Sequence, residues 1–364
     1  MPRALNKVLV VTFLAILLAP TAAAVFGLNP MNGLDEKRAL AKKPAARPWT
    51  LASIPQVATL AQEWEKYFND HFGLRKLLIG TYRLATFHVF KTSPNPAVVI
   101  GESDRAGRWL FLDAAVTHDG LGLEDLLGKK PYLGNELAVI AVQLKQATEL
   151  AQGNGVKFLV VVCPDKQTIY PENLPRRFRA QPGTPSRLDQ FWAMAAGLKD
   201  VPLVDLRAPL WNAKPGAFLY HTTDTHWNAR GGFVGYQVVA KALQAQDPSR
   251  EPIAPTFVQW QDAGQHTGDL VNLIGLPRPL QDQSWAPLIA PAAVQGKPKH
   301  GKLLVLGDSF FEAMRPYFEQ QFETVKKLNR ARHPGALIFS QELLDAEKPD
   351  VVLIESLERY WVAN

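Results

Sequence analysis

Five short apolar runs punctuate the chain: Ala97–Ile100, Phe158–Cys163, Pro202–Leu206, Leu303–Leu306 and Val351–Ile354. Each has the length and aliphatic, β-branched character of a strand buried on both faces, as parallel strands are. Between them, Asn135–Gln152 and Ala229–Ala245 place apolar residues at helical spacing, and Phe310–Gln320 reads as the start of another helix directly after Leu306. This alternation predicts an α/β fold, a three-layer α/β/α sandwich with a mainly parallel sheet. In such folds the working side chains gather beyond the carboxyl ends of the strands. The stretch from Arg250 to Lys302 breaks the pattern, with many Pro, Gln and Gly residues. It predicts an irregular insertion, about 250–302, of the kind that shapes a binding groove or a lid.

The N-terminus has a different pattern. Arg3 and Lys7 precede a charge-free stretch from Val8 to about Leu34, with a strongly apolar core from Val8 to Leu18. Val8 to Leu28, about 21 residues, is long enough to span a bilayer. Pro20 and Ala22-Ala23-Ala24 favour cleavage of a signal peptide, whereas the apolar continuation Val25-Phe26-Gly27-Leu28 favours a retained anchor helix. Either way the basic flank stays cytoplasmic and the rest is exported, which predicts a periplasmic protein, anchored to the inner membrane if the segment is retained. Residues 1–28 are therefore expected to be signal or anchor. Residues 29–50, with Asp35-Glu36-Lys37-Arg38 and Lys42-Lys43-Pro44, read as a polar linker, and 51–364 as one domain.

Candidate chemistry lies at two places. Gly307-Asp308-Ser309 follows the apolar run Leu303–Leu306, so a serine hydroxyl stands where a buried strand turns into a helix, with its own N–H near a helix N-terminus. Gly-Asp-Ser is also ordinary turn and N-cap chemistry, and alone it is weak. Upstream, Asp224-Thr225-His226-Trp227-Asn228 supplies what such a serine lacks: an imidazole to take its proton and a carboxylate to orient that imidazole. In an extended or turn conformation, residues two apart project to the same side, so Asp224 can reach the near ring nitrogen of His226. A carboxylate–histidine metal site through these residues finds no third ligand at telling spacing, and no metal is expected.

These two blocks, in this order, resemble the SGNH-type acyl hydrolase and transferase superfamily, and more closely the alginate O-acetyltransferase family of the AlgJ and AlgX type. Further stretches carry the likeness: Phe68-Asn69-Asp70-His71-Phe72-Gly73-Leu74-Arg75, Trp109-Leu110-Phe111-Leu112, Pro164-Asp165-Lys166, Ile169-Tyr170-Pro171-Glu172 and Glu358-Arg359-Tyr360. It spans roughly Trp64 to the C-terminus. The resemblance implies an SGNH-like sandwich in which Ser309 is the nucleophile, His226 the general base and acid, and Asp224 its orienter. It implies ping-pong transfer of an acetyl group through an acyl-serine to a polysaccharide hydroxyl, without a cofactor. The acetyl group would come from a membrane-bound O-acyltransferase (MBOAT-type) partner. For the oxyanion hole or substrate contacts the candidates are Asn272, Arg359 and Lys166, beside Ser309 N–H. The structural alternatives are a turn residue for Asn272, a paired surface residue for Arg359 and a solvated loop lysine for Lys166.

The net charge of +6 has the right sign for an acidic polymer, although part of it belongs to the N-terminal flank and linker, and Arg176, Arg177 and Arg179 fit an ordinary solvated surface. The export signal and the absence of a nucleic-acid module argue against nucleic-acid binding. The only cysteine, Cys163, sits in an apolar run, so it reads as a small core residue and no intramolecular disulfide is possible. A carbohydrate acetylesterase and a catalytically silent scaffold or polysaccharide-binding subunit remain as alternatives.

Overall fold

The computed structural model describes residues 2–28, 39–45, 57–102, 109–118, 120–179, 183–329 and 339–360. Two compact units emerge, one of Met1–Pro94 with Asn272–Pro279 and one of Asn95–Val271 with Leu280–Asn364.

The first unit is helical. Its first helix, Pro2–Val25, includes a 22-residue segment, Ala4–Val25, long and apolar enough to cross a membrane, with its apolar side chains exposed. At about 1.5 Å per residue such a segment matches a hydrocarbon core of roughly 30 Å. Helices Val57–His71 and Arg75–Leu84 follow, and Arg83 donates to the Gly275 carbonyl at 2.8 Å, tying 272–279 into this unit. Asp35–Arg38 of the expected linker lies outside the described residues.

Among the described residues the second unit has nine strands: β1 (Val98–Ile100), β2 (Leu110–Leu112), β3 (Lys157–Cys163), β4 (Leu203–Asp205), β5 (Val258–His266), β6 (Asp282–Ile289), β7 (Lys302–Gly307), β8 (Thr324–Asn329) and β9 (Val351–Leu357). Five of them form an entirely parallel sheet in the order β4-β3-β9-β7-β8. Side chains alternate between its faces. Leu159, Val161, Cys163, Leu303, Val305, Val351 and Leu353 pack on one side with Tyr236, Val239 and Leu243 of the helix Ala229–Gln246. Phe158, Val160, Val162, Leu304, Leu306, Val352 and Ile354 pack on the other, against Ile140 and Leu144 of Glu136–Gly153 and against Leu188 and Phe191 of Arg187–Ala195. The predicted three-layer sandwich is thus the observed one. In this order β3, β9 and β7 are neighbours, so the segments leaving their carboxyl ends, Asp165-Lys166, Glu358-Arg359 and Asp308-Ser309, emerge side by side.

Three expectations change and one strand is added. Ala97–Ile100 does not join the parallel sheet: Val98–Ile100 pairs antiparallel with β2 in a sheet of its own. The helix expected over Phe310–Gln320 is broken into a 3₁₀ segment, Ser309–Ala313, and one α-turn, Arg315–Phe318, with Pro316 at its start. Proline cannot supply the N–H that would continue the first segment into the second. The edge strand β8, Thr-Val-Lys-Lys-Leu-Asn, is polar at four of its six positions and so has no apolar run to mark it. Finally, 250–302 is not irregular. It contains a long antiparallel ribbon, β5 with β6, bulged near Asp262 and Gly264; β5 is mostly exposed, which explains its polar composition, and β6 is half-buried.

Candidate active site

The loop His221–His226 is closed by a bridge between Tyr220 and Trp227 and by the bond from His221 N–H to the His226 carbonyl, 3.2 Å. Within it Asp224 and His226 meet through a turn, not an extended pair. The Asp224 carboxylate accepts from His226 N–H (2.9 Å), which brings the imidazole back onto the same oxygen, with Nδ1 at 2.6 Å from Oδ1. Placing the Nδ1 proton on that bond leaves Nε2 as an acceptor, and Nε2 lies 2.7 Å from Ser309 Oγ. The chain of Asp224, His226 and Ser309 is therefore continuous.

On the serine side, Asp308 caps the 3₁₀ turn by accepting from Phe310 N–H at 2.8 Å with one oxygen, while the other accepts from Leu357 N–H at 3.1 Å. The Glu355 carboxylate, fully buried on β9, accepts from Asp308 N–H at 2.8 Å. Burial, and then the charge of Asp308, pushes Glu355 well above the usual carboxylate range. Gly307 is required here, because a Cβ would stand 2.6 Å from the Glu355 carboxylate. Ser309 N–H opens the turn and has no intrahelical acceptor, so it is the natural first oxyanion donor.

Asp224 carries more than His226. Its second oxygen accepts from His266 Nε2 (2.8 Å) and from Asp269 N–H (3.0 Å). Asp269 in turn accepts from Thr225 N–H (2.8 Å) and Thr225 Oγ1 (2.5 Å). Burial opposes the Asp224 charge, but the bonds from His226 and His266 prevail and hold its carboxyl far below the ordinary range. For His226, burial lowers the affinity for a proton, and the Asp224 hydrogen bond and charge outweigh it, so its pKa is raised. Asp269 is raised by burial and by the neighbouring Asp224 charge. The segment bearing His266 and Asp269 seats against the loop at Gly268, where a Cβ would come within 2.0 Å of the Thr223 carbonyl oxygen.

His266 and Asp269 were missed in the sequence because they lie in the stretch read as irregular, and their contact with Asp224 spans more than forty positions. Asp224, His226 and Asp269 do supply three ligand-type atoms within 4.8 Å of one another, the third ligand that spacing did not reveal. His226 Nδ1 and Asp224 Oδ1 are joined by a 2.6 Å bond, so the group reads as a hydrogen-bonded charge cluster.

The three lesser candidates are placed otherwise than expected. Lys166, neither solvated nor substrate-facing, is 2% exposed, and its ammonium donates to the carbonyls of His221 (3.1 Å), Thr222 (3.3 Å) and Asp224 (2.6 Å). It lies over the rings of Trp109 and Phe111, and burial lowers its pKa to about 8 against the charges of Asp269, Asp224 and Asp282. Its three protons hold the loop that carries Asp224. Arg359 is not at the surface: it is buried and ion-paired with buried Asp165. Glu358 accepts from Asp165 N–H (2.7 Å) and Thr168 Oγ1 (2.7 Å), completing a polar network beneath the strand ends. Asn272 lies exposed on the short helix Asp269–Ile274 and belongs with the helical unit, not with the unit that carries Ser309.

A family model described as SGNH hydrolase-like domain, acetyltransferase AlgX, matches residues 98–309. Among curated proteins, "Probable alginate O-acetylase AlgJ" of Pseudomonas aeruginosa is 29% identical over 360 residues, covering 86% of this chain and 85% of the relative. The Azotobacter vinelandii protein of the same name is 26% identical over 218 residues, 60% of this chain, and the chain spans about half, 51%, of that relative's length. Among solved structures, the O-acetyltransferase domain of Pseudomonas putida AlgJ is similar with a TM-score of 0.48 and 21% identity, over 73% of this chain and 92% of that one.

Proposed function

The chain belongs to the family of SGNH hydrolase-like acetyltransferase domains typified by AlgX, and from that premise we propose that it is an exported polysaccharide O-acetyltransferase working through an acetyl-serine on Ser309. The observation that carries this reading is the unbroken line from Asp224 to His226 to Ser309, 2.6 Å and then 2.7 Å, in a chain of that family.

In the first half-reaction Ser309 Oγ attacks the acetyl carbonyl as its proton passes to His226 Nε2. The oxyanion collects at Ser309 N–H, and the imidazolium is stabilised by Asp224, which His266 and Asp269 N–H keep ionised. His226 then protonates the departing donor group, leaving acetyl-Ser309. In the second half, a sugar hydroxyl gives its proton to His226 and attacks the acetyl carbon, and Ser309 Oγ takes the proton back. The N-terminal helix supports placement on the periplasmic side of the inner membrane, and the acetyl group would be handed over by an MBOAT-type partner in that membrane. Alginate, named in the relatives, is the first acceptor to try.

Mass spectrometry of the purified chain incubated with an acetyl donor and alginate oligomers tests this. Acetylated sugar is expected. Free acetate alone would replace the reading with an esterase, and no turnover would replace it with a scaffold.

A further inference from the structure

The loop that carries Asp224 and His226 also lines a cavity of about 360 Å³, closed on its other side by β6 and the residues before it. Arg230, in the first turn of Ala229–Gln246, lines this cavity and is half-buried. Its guanidinium lies 4.8 Å from the centre of the Trp285 ring and 5.6 Å from that of Trp260. Among the described residues it meets no carboxylate, and its buried Nε has no hydrogen-bond partner. A partly desolvated cation lying against two indoles of one ribbon, with its donors unspent, is ready to take an anion. The planar fork of arginine matches a carboxylate with two parallel hydrogen bonds.

The remaining lining agrees with a sugar acid. Phe218 exposes its ring, 38% accessible, and is held edge-on by Trp109 at 5.4 Å, presenting a fixed flat apolar surface of the kind on which a sugar's C–H face rests. Asp282 is the one carboxylate lining the cavity, and it is already satisfied, accepting from Thr222 Oγ1 (2.5 Å), Thr223 N–H (2.9 Å) and Thr223 Oγ1 (2.8 Å). His221, which also lines the cavity, stands 3.7 Å from Asp282, and burial, with His266 beside it, lowers its pKa to about 4, so it brings no second cation at neutral pH.

We propose that this cavity is an acceptor subsite for an acidic sugar, in which Arg230 takes the carboxylate of a uronate residue and Phe218 meets the ring, fixing the register of the polymer along the loop that bears His226. The identification of the sugar as acceptor rests on the acetyltransferase reading; the binding of a sugar carboxylate does not.

Calorimetry on Ser309→Ala protein, which removes turnover, separates the two. The probes are a mannuronate oligomer and its carboxyl-reduced, neutral counterpart. The acid is expected to bind about tenfold tighter than the neutral form, about 1.4 kcal/mol. Arg230→Gln should erase that preference by weakening the acid alone, while Arg230→Lys, which keeps the charge without the fork, should retain part of it. Phe218→Ala, at an exposed ring whose loss leaves the core intact, should weaken both ligands by a similar factor. Equal affinities in the parent, no binding of the acid, a preference that survives Arg230→Gln in a folded variant, or full affinity in Phe218→Ala would each overturn the proposal. Arg230-dependent binding in a chain that never acetylates sugar would keep the subsite and remove the acetyltransferase reading. Transfer to sugar without that dependence would do the reverse.

Discussion

Two polar clusters stand side by side at the carboxyl edge of the parallel sheet, and they differ in their access to water. Asp165, Lys166, Glu358 and Arg359 are all at least nine-tenths buried, and the charges of Lys166, Asp165 and Arg359 are met by carbonyls or a counter-ion. Asp224, His226, His266, Asp269 and Ser309 share the same edge, but the His226 side chain is 32% exposed and ends on a hydroxyl. Both contain residue types that can do chemistry. The buried one is a brace whose members act through the backbone they hold, and the open one has an atom, Ser309 Oγ, with somewhere to go. Burial without a partner would be ruinous for these charges; burial with partners makes them structural.

Substitutions sharpen this contrast. The largest expected loss is at Ser309: Ser309→Ala should lower turnover of a p-nitrophenyl acetate surrogate by on the order of 10⁴-fold while leaving the unfolding midpoint in place. His226→Ala should cost nearly as much, because members of such a unit are not additive. The pH profile reports the same pair. In the proposed mechanism His226 must be neutral to accept the serine proton, and its pKa is raised above the ordinary 6.5, so activity should fall on acidification with a midpoint above 6.5. Asp224→Asn should lower that midpoint along with kcat.

On the buried side the effects reverse in kind. Lys166→Met leaves three carbonyls of the loop without their donor, and should cost about 1–3 kcal/mol of stability together with roughly ten- to a hundredfold of activity. Because folding lowers the Lys166 pKa from 10.5 to about 8, the folded state holds fewer protons than the unfolded one between those values. The wild type should therefore gain stability relative to Lys166→Met as pH rises from about 8 to 10.5, which denaturant titrations at several pH values would reveal. The smallest effect is expected at His266→Gln, which keeps a donor on Asp224 but changes its reach: a few-fold loss of kcat with little change in stability.

Much of this architecture was legible from hydrophobic pattern, because a strand buried on both faces, such as Phe158–Cys163 or Val351–Ile354, must be apolar throughout. Thr324–Asn329 escaped for the same reason: an edge strand is half solvated and carries lysines. The pairing of Asp224 with His226 was readable because it is local. Its meeting with Ser309 was inferred from complementary chemistry, since nothing in the spacing of residues 83 apart shows it. Lys166 and Arg359 misled because charged residues are presumed solvated, and only tertiary structure reveals that Lys166 has three carbonyls and Arg359 an aspartate to justify its burial. His266 and Asp269 were silent because they close a half-exposed polar strand and open a short helix, and neither position carries a periodicity that points to Asp224.

Whether Ser309 carries the acetyl group is read from intact-mass spectrometry of the protein quenched during turnover, followed by peptide mapping. A mass increase of one acetyl group, located on Ser309 and absent from Ser309→Ala, is the predicted result. An acetyl adduct that persists in Ser309→Ala, or turnover with no adduct on Ser309 when the second half-reaction is starved of acceptor, would contradict it.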